Sequence, residues 1–111
     1  MDEPFRVLLT DQAVRMLRRV GKKYGAKTYG ILRDLIKGLA HEPDKQGEPL
    51  RGRLSGLFSL HYSRFRVIYQ IRERTCEVLV VAVGHHASGS RKDIYELLER
   101  IVEQGGLQDE K

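Results

Sequence analysis

The sequence predicts an α+β fold, in which a small antiparallel sheet packs with two N-terminal helices and one C-terminal helix. Three observations predict this: a strand-like run followed by two helical apolar stripes, then three strand-like runs in succession, then a final helical stripe. A length of 111 residues suits one small domain. We therefore expect residues 1–111 to form a single domain.

The N-terminal third predicts one strand and two helices. Residues 5–9 are rich in β-forming side chains. Thr10 or Asp11 can cap the first helix, whose apolar stripe is Val14, Leu17 and Val20. A break bracketed by Gly21 and Gly25 follows. The second helix is predicted by a stripe that ends before Pro43 and consists of Leu32, Leu35, Ile36 and Leu39.

A β-hairpin is predicted at the centre of the chain, with a two-residue loop directly after Tyr62. This loop places Tyr62 opposite Phe65 and His61 opposite Arg66. Because side chains alternate along a strand, Ser59 and His61 share one face with Arg66. That face is expected to be poorly apolar. An imidazole and a permanent cation would therefore lie side by side.

The C-terminal third predicts a central strand and a helix. Residues 77–84 are apolar on both faces, which is typical of a strand covered on both sides. Ser90 and Asp93 resemble a capping box. The helix that follows carries the stripe Ile94, Leu97, Leu98 and Ile101.

The charge of the chain favours an anionic partner. Net charge is +5 and the sequence pI is about 9.6. Nucleic acid is the commonest such partner, followed by an acidic protein. The alternative is a basic surface with no ligand.

Several classes of protein are excluded by composition. The single cysteine permits no internal disulfide. No zinc-ligand spacing or Gly-rich phosphate loop is present, so we expect no metal and no small-molecule cofactor. The apolar run 78–83 is too short to span a bilayer and the N-terminus is unlike a signal peptide, so we expect a cytoplasmic protein without a membrane partner.

Four segments in order resemble one family. They are LRGRLSGLF at 50–58, FRVIYQI at 65–71, VAVGH at 81–85 and RKDIY at 91–95. With the order of elements, they make residues 5–102 similar to the RelE/ParE superfamily of bacterial and archaeal toxins from type II toxin–antitoxin systems.

The resemblance implies a toxin neutralised by a cognate antitoxin. RelE-type members are ribosome-dependent endoribonucleases that cut mRNA in the decoding site, so the ribosome and mRNA become expected partners. ParE-type members share the fold and poison DNA gyrase by binding, which is the alternative function. A third alternative is a non-toxic relative kept for antitoxin-linked regulation.

The resemblance also carries over individual residues. The family's arginine in the second hairpin strand matches Arg66, and its C-terminal tyrosine matches Tyr95. Its arginine after the third strand falls on His86 when counted from the strand and on Arg91 when counted from the tyrosine, and the arginine-to-tyrosine spacing favours Arg91. RelE itself carries lysines on the first hairpin strand, where this chain has Ser59 and His61, and some nuclease branches of the superfamily use other general bases.

These residues predict metal-independent RNA cleavage, in which a 2′-hydroxyl attacks the neighbouring phosphorus. His61 is the candidate base and Arg66 the candidate phosphate clamp. Arg91 or His86 adds charge or acts as the acid, and Tyr95 stacks on a base or orients the phosphate. The alternatives are an exposed strand histidine, a structural ion pair at Arg66, loop histidines and a helix-surface tyrosine.

A cationic loop lies before the hairpin, and one cation lies at its turn. We expect these side chains to contact the RNA backbone, which positions RNA without specifying sequence. The alternative is a solvated charged loop. The residues are Lys45, Arg51, Arg53 and Arg64.

Overall fold

The computed structural model describes residues 3–86 and 93–103. The strands are β1 (Arg6–Leu9), β2 (Glu48–Pro49), β3 (Leu57–Tyr62), β4 (Phe65–Arg72) and β5 (Glu77–His85). The helices are α1 (Asp11–Tyr24), α2 (Ala26–Gly38), α3 (Pro43–Gln46) and α4 (Ile94–Glu103). A single 3₁₀ turn at Gly52–Leu54 precedes β3.

The sheet has five strands in the order β1-β5-β4-β3-β2. The α+β fold is confirmed, but the expectation of a wholly antiparallel sheet is wrong at one strand. β1 pairs in parallel with β5, from Arg6 opposite Glu77 to Leu9 opposite Val80. The helices α1 and α2 carry the chain across the sheet, so no hairpin fixes the direction of β1. Parallel pairing requires such a long connection.

The first two helices begin and break largely where the sequence predicts. Thr10 caps α1, because its Oγ1 accepts a hydrogen bond of 3.0 Å from the N–H of Ala13. The break falls at Gly25, whose φ of 105° suits glycine. Gly21 lies inside α1 and does not bracket the break. Pro43 opens the short helix α3, a position at which its missing N–H is harmless.

The predicted hairpin is confirmed. Tyr62 pairs with Phe65 and His61 pairs with Arg66. Ser63 has a φ of 55°, which the first position of a two-residue hairpin loop requires.

The sheet lies between two helical layers. On one face, α1 and α2 cover a cluster that includes Leu60, Val67 and Tyr69. On the other face, α4 covers a smaller cluster that includes Ile68, Val81 and Leu98. The face that carries His61 and Arg66 is therefore apolar where α4 covers it, contrary to expectation, and among the described residues it is open at His61, near the hairpin loop.

A close contact brings α4 onto the sheet. A Cβ on Gly84 of β5 would lie 2.9 Å from Cδ1 of Ile94, the first residue of α4. The missing side chain therefore lets the start of α4 pack directly on β5. No helix in the described ranges is long and apolar enough to cross a membrane.

Candidate nucleic-acid cleavage site

Arg66 occupies the middle of the open face. Its Nη1 donates hydrogen bonds to the carbonyl oxygens of Ser63 at 3.1 Å and Phe65 at 2.9 Å, so the guanidinium turns towards the hairpin loop. Its Nε is buried and has no hydrogen-bond partner among residues 3–86 and 93–103. His61, the register partner of Arg66, is exposed and makes no hydrogen bond or ion pair within the described residues.

His86 lies just beyond β5 and is held at three points. Its backbone N–H donates to the carbonyl of Arg64 at 2.7 Å, which ties it to the hairpin loop. Its Nδ1 lies 2.5 Å from Oδ1 of Asp93. Its ring meets the ring of Tyr95 edge to face, with centroids 5.0 Å apart and an interplanar angle of 76°.

Asp93 anchors both His86 and the start of α4. Its Oδ2 accepts hydrogen bonds from the backbone N–H groups of Tyr95 at 2.9 Å and Glu96 at 3.3 Å, as an N-cap residue does. The residue is 3% exposed. The sequence suggested a capping box with Ser90, which lies outside the described residues; in the structure Asp93 itself caps the helix.

Tyr95 is tied to the first hairpin strand. Its Oη lies 2.7 Å from Oγ of Ser59, a side chain that is 1% exposed. Ser59 is therefore buried beneath α4, and its hydroxyl is held by the phenol. The tyrosine ring in turn supports the imidazole of His86.

The strand register arranges these groups in a row. His61 on β3 pairs with Arg66 on β4, which pairs with Gly84 on β5. His86 lies two residues beyond Gly84 and therefore on the same face. Because β4 and β5 are antiparallel, His86 lies opposite Arg64, so it is offset by two residues from the row of His61, Arg66 and Gly84 and lies diagonally from Arg66. A guanidinium can bind a phosphate, and imidazoles on either side of it can transfer protons to and from the bound group.

The expected RNA-contacting cations are scattered. Arg64 is exposed in the hairpin loop beside Arg66. Lys45 lies on α3, 3.8 Å from a carboxylate oxygen of Glu42. Arg51 is exposed, and Arg53 pairs with Glu103 at the far end of α4. Arg91 lies outside the described residues.

Asp93 and Gly84 are parts of the site that sequence reasoning did not assign to it. The sequence predicts Asp93 only as the acidic partner of Ser90 in a capping box, although an acidic residue directly before a helical stripe is itself an N-cap signal. Its contact with His86 has no signature in the sequence. Within residues 3–86 and 93–103, no three His, Cys, Asp or Glu side chains converge as metal ligands would.

A separate groove of about 320 Å³ runs between α1 and α4. Its floor is apolar, formed by Met16, Leu97 and Ile101. Arginine side chains line it, namely Arg15, Arg19 and Arg100.

Comparison with known proteins decides the family. The profile described as "ParE toxin of type II toxin-antitoxin system, parDE" matches residues 7–89. The chain belongs to the RelE/ParE superfamily of type II toxins. It is 29% identical over 90 residues to Toxin RelE of Mycobacterium tuberculosis, covering 81% of this chain and 90% of that one. It is 30% identical over 92 residues to Toxin RelG of the same organism, covering 83% and 97%.

Solved structures share the fold of this toxin. The toxin–antitoxin complex RelBE2 from Mycobacterium tuberculosis matches with a TM-score of 0.67 and 27% identity, over 75% of this chain and 99% of that one. A chain of the chromosomal ParDE system of P. aeruginosa matches with a TM-score of 0.63 and 14% identity, over 76% and 98%. The fold therefore occurs in toxins named for either branch.

Proposed function

We propose that this toxin is a ribosome-dependent endoribonuclease that cleaves mRNA. The observation that supports the proposal is the row on the open face, in which Arg66 lies between the positions of His61 and His86. The two curated relatives are named Toxin RelE and Toxin RelG. Ribosomes and mRNA are then its partners, and the cytoplasm is its place of action.

The row supplies the groups that metal-independent cleavage needs. Because Nη1 of Arg66 donates to two backbone carbonyls and Nε is buried, Nη2 is the nitrogen that meets a phosphate, and the charge of the guanidinium offsets the negative charge that grows there. The imidazoles of His61 and His86 can accept and return protons. Tyr95 supports His86 and offers a ring edge near the scissile phosphate.

The remaining cations hold the RNA in place. Arg64 extends the row along the hairpin loop, and Arg91 follows β5 in the sequence. Lys45, Arg51 and Arg53 contact the RNA backbone further away. Such contacts fix register and add salt-dependent affinity.

Purified toxin with translating ribosomes tests the proposal. Wild-type toxin is expected to cut the message in the decoding site. The Arg66→Ala variant is expected to lose on the order of 10²- to 10³-fold in rate, because it removes the donors that meet the phosphate. Arg33→Ala, on the exposed surface of α2, is the matched control. Intact message with wild-type toxin would refute nuclease function.

A cognate antitoxin is the second partner in the proposal. The RelBE2 structure is a toxin–antitoxin complex, and this chain carries a net charge of +5. An acidic, amphipathic segment suits the groove between α1 and α4, where Arg15 and Arg19 flank apolar Met16. Growth arrest on induction, relieved by the product of the adjacent reading frame, is the expected result. Absence of arrest would indicate a non-toxic relative.

Inhibition of DNA gyrase is the second candidate function. Two observations favour it: the matching profile describes ParE toxins, and Ser59 is buried where RelE-type nucleases carry a lysine. A gyrase supercoiling assay separates the candidates. Inhibition of supercoiling with no cleavage of ribosome-bound mRNA would establish the binding poison.

A further inference from the structure

We propose that Asp93 is a positioning residue, which fixes the ring of His86 so that its Nε2 accepts the proton of the attacking 2′-hydroxyl. This inference rests on the proposed nuclease function. It assigns the base to His86 and leaves protonation of the leaving oxygen to His61. These roles are the reverse of those that the sequence indicated.

The carboxylate of Asp93 has both oxygens engaged. Oδ2 accepts two backbone N–H groups at the start of α4, and Oδ1 lies 2.5 Å from Nδ1 of His86. An ionised carboxylate only accepts hydrogen bonds, so the shared hydrogen belongs to Nδ1. In a neutral imidazole the other nitrogen then carries the lone pair. The network therefore assigns the basic position to Nε2.

The ring cannot easily turn away from this arrangement. Tyr95 packs against it edge to face and is itself held by Ser59 at 2.7 Å. The backbone N–H of His86 is bound to the carbonyl of Arg64. The side chain is 35% exposed. Buried Asp93 holds Nδ1, and within the described residues Nε2 has no hydrogen-bond partner.

His61 provides the contrast. It is exposed, and within the described residues it has no hydrogen-bond partner that would select a tautomer or a rotamer. It lies directly opposite Arg66, whereas His86 lies diagonally from Arg66 on the other side, two residues beyond Gly84, the register partner of Arg66 on β5. A phosphate on Arg66 therefore has an oriented imidazole on one side and a free one on the other.

The reaction balances with these groups. The 2′-oxygen attacks phosphorus, and its proton passes to Nε2 of His86. The bond from phosphorus to the 5′-oxygen breaks with its electron pair on oxygen, which takes a proton from protonated His61. The products are a 2′,3′-cyclic phosphate and a 5′-hydroxyl. Arg66 offsets the charge on the non-bridging oxygens throughout.

The Asp93→Asn variant separates positioning from helix capping. Asparagine is an equally good N-cap, because its carbonyl oxygen still accepts the backbone N–H groups. Its NH₂ group is then the one that meets Nδ1, which must become an acceptor, so the hydrogen moves to Nε2. Cleavage on ribosomes is expected to fall on the order of 10²- to 10⁴-fold while α4 stays folded. Glu96→Gln, an exposed carboxylate-to-amide change in the same turn, is the matched control.

Nitrogen NMR of histidine-labelled toxin gives a readout that does not depend on activity. His86 is expected to carry its hydrogen on Nδ1 in the wild type and on Nε2 in Asp93→Asn. Hydrogen on Nε2 in the neutral wild type, or the same tautomer in both proteins, would overturn the inference.

A message with sulfur in place of one bridging 5′-oxygen tests which imidazole is the base. A thiolate leaves without protonation, so this substrate should restore cleavage to His61→Gln and leave His86→Gln inactive. The reverse pattern would overturn the assignment. Failure of wild-type toxin to cut ordinary message refutes the nuclease proposal itself. Equal cleavage by wild type, Asp93→Asn and Glu96→Gln overturns only the role of Asp93.

Discussion

Ser59 Oγ and Tyr95 Oη lie 2.7 Å apart and join the first hairpin strand to α4. Ser59 is 1% exposed, and Tyr95 is partly buried. The contact fixes the ring that supports His86. It therefore couples the packing of α4 to the order of the candidate site.

Removing either hydroxyl should destabilise the toxin. Ser59→Ala and Tyr95→Phe each leave a buried partner unsatisfied, which costs about 1–3 kcal/mol. The double variant should lose less than the sum, because neither orphaned group remains. Urea unfolding of the four proteins measures the coupling. Strictly additive losses would show that the two hydroxyls do not bond.

Gly84→Ala should weaken the packing of α4 on β5. The new Cβ would lie 2.9 Å from Cδ1 of Ile94, and such overpacking costs about 1–3 kcal/mol. Ile94→Val removes that Cδ1, so it should recover stability in the Gly84→Ala background although it destabilises the wild type. Thermal unfolding of the single and double variants checks this. No recovery in the double variant would place the strain elsewhere.

Arg66→Lys should reduce mRNA cleavage although it keeps the charge. An ammonium is a point charge and cannot reproduce the planar guanidinium, in which Nη1 is held by two backbone carbonyls while Nη2 meets the phosphate. We expect a loss on the order of 10²-fold on ribosomes. Arg33→Lys is the control on the far layer. If Arg66→Lys cleaves mRNA at the wild-type rate, only the positive charge at this position matters and not the shape of the guanidinium.

Tyr69 should make the fold sensitive to alkali. Its hydroxyl donates to the carbonyl of Pro43 at 2.7 Å, and burial, with a smaller effect from Asp44, raises its pKa to about 12. Because the folded pKa lies above the ordinary 10, its contribution is whole below pH 10 and is lost as pH rises towards 12. The loss is about 2–3 kcal/mol.

Urea unfolding at neutral and alkaline pH tests the role of Tyr69. The free energy of unfolding of Tyr69→Phe should be about 1 kcal/mol lower than that of the wild type at neutral pH. It should then fall less than that of the wild type as the pH is raised. Tyr24→Phe, on an exposed ring, is the control. An unchanged alkaline decline in Tyr69→Phe would contradict the prediction.

Glu77 should contribute to acid unfolding. Hydrogen bonds from Arg6 and Thr75 hold the pKa of its carboxyl below the ordinary value of 4.5. A lowered folded pKa means that the contribution is present above 4.5 and is lost as pH falls through the folded value. The free energy of unfolding should therefore fall less steeply with acid in Glu77→Gln than in the control variant Glu73→Gln, whose side chain is exposed. If the free energy of unfolding falls equally steeply with acid in both variants, Glu77 does not contribute to acid unfolding.

The hairpin was predictable because two strong local signals agree. Apolar side chains alternate with a period of two residues, and a short polar loop separates the runs. A shift by one residue would expose Phe65 and Val67. The register that places His61 beside Arg66 therefore follows from the sequence, and the structure confirms it.

Other features were not predictable because they depend on distant contacts. The direction of β1 is set by a neighbour far along the chain. The burial of Ser59 depends on where α4 docks, and that in turn depends on the absence of a side chain at Gly84. The pairing of Asp93 with His86 joins residues on either side of the last connection, where spacing in sequence gives no distance.

The parallel pairing of β1 with β5 has a consequence for synthesis of the toxin. Arg6 is bound to Glu77, 71 positions later, so the N-terminal strand has no place in the sheet until β5 has been made. Contacts of this range slow folding and leave strand edges exposed meanwhile. A nascent chain therefore completes its sheet late, and a protein that binds the chain during translation binds a partly folded domain.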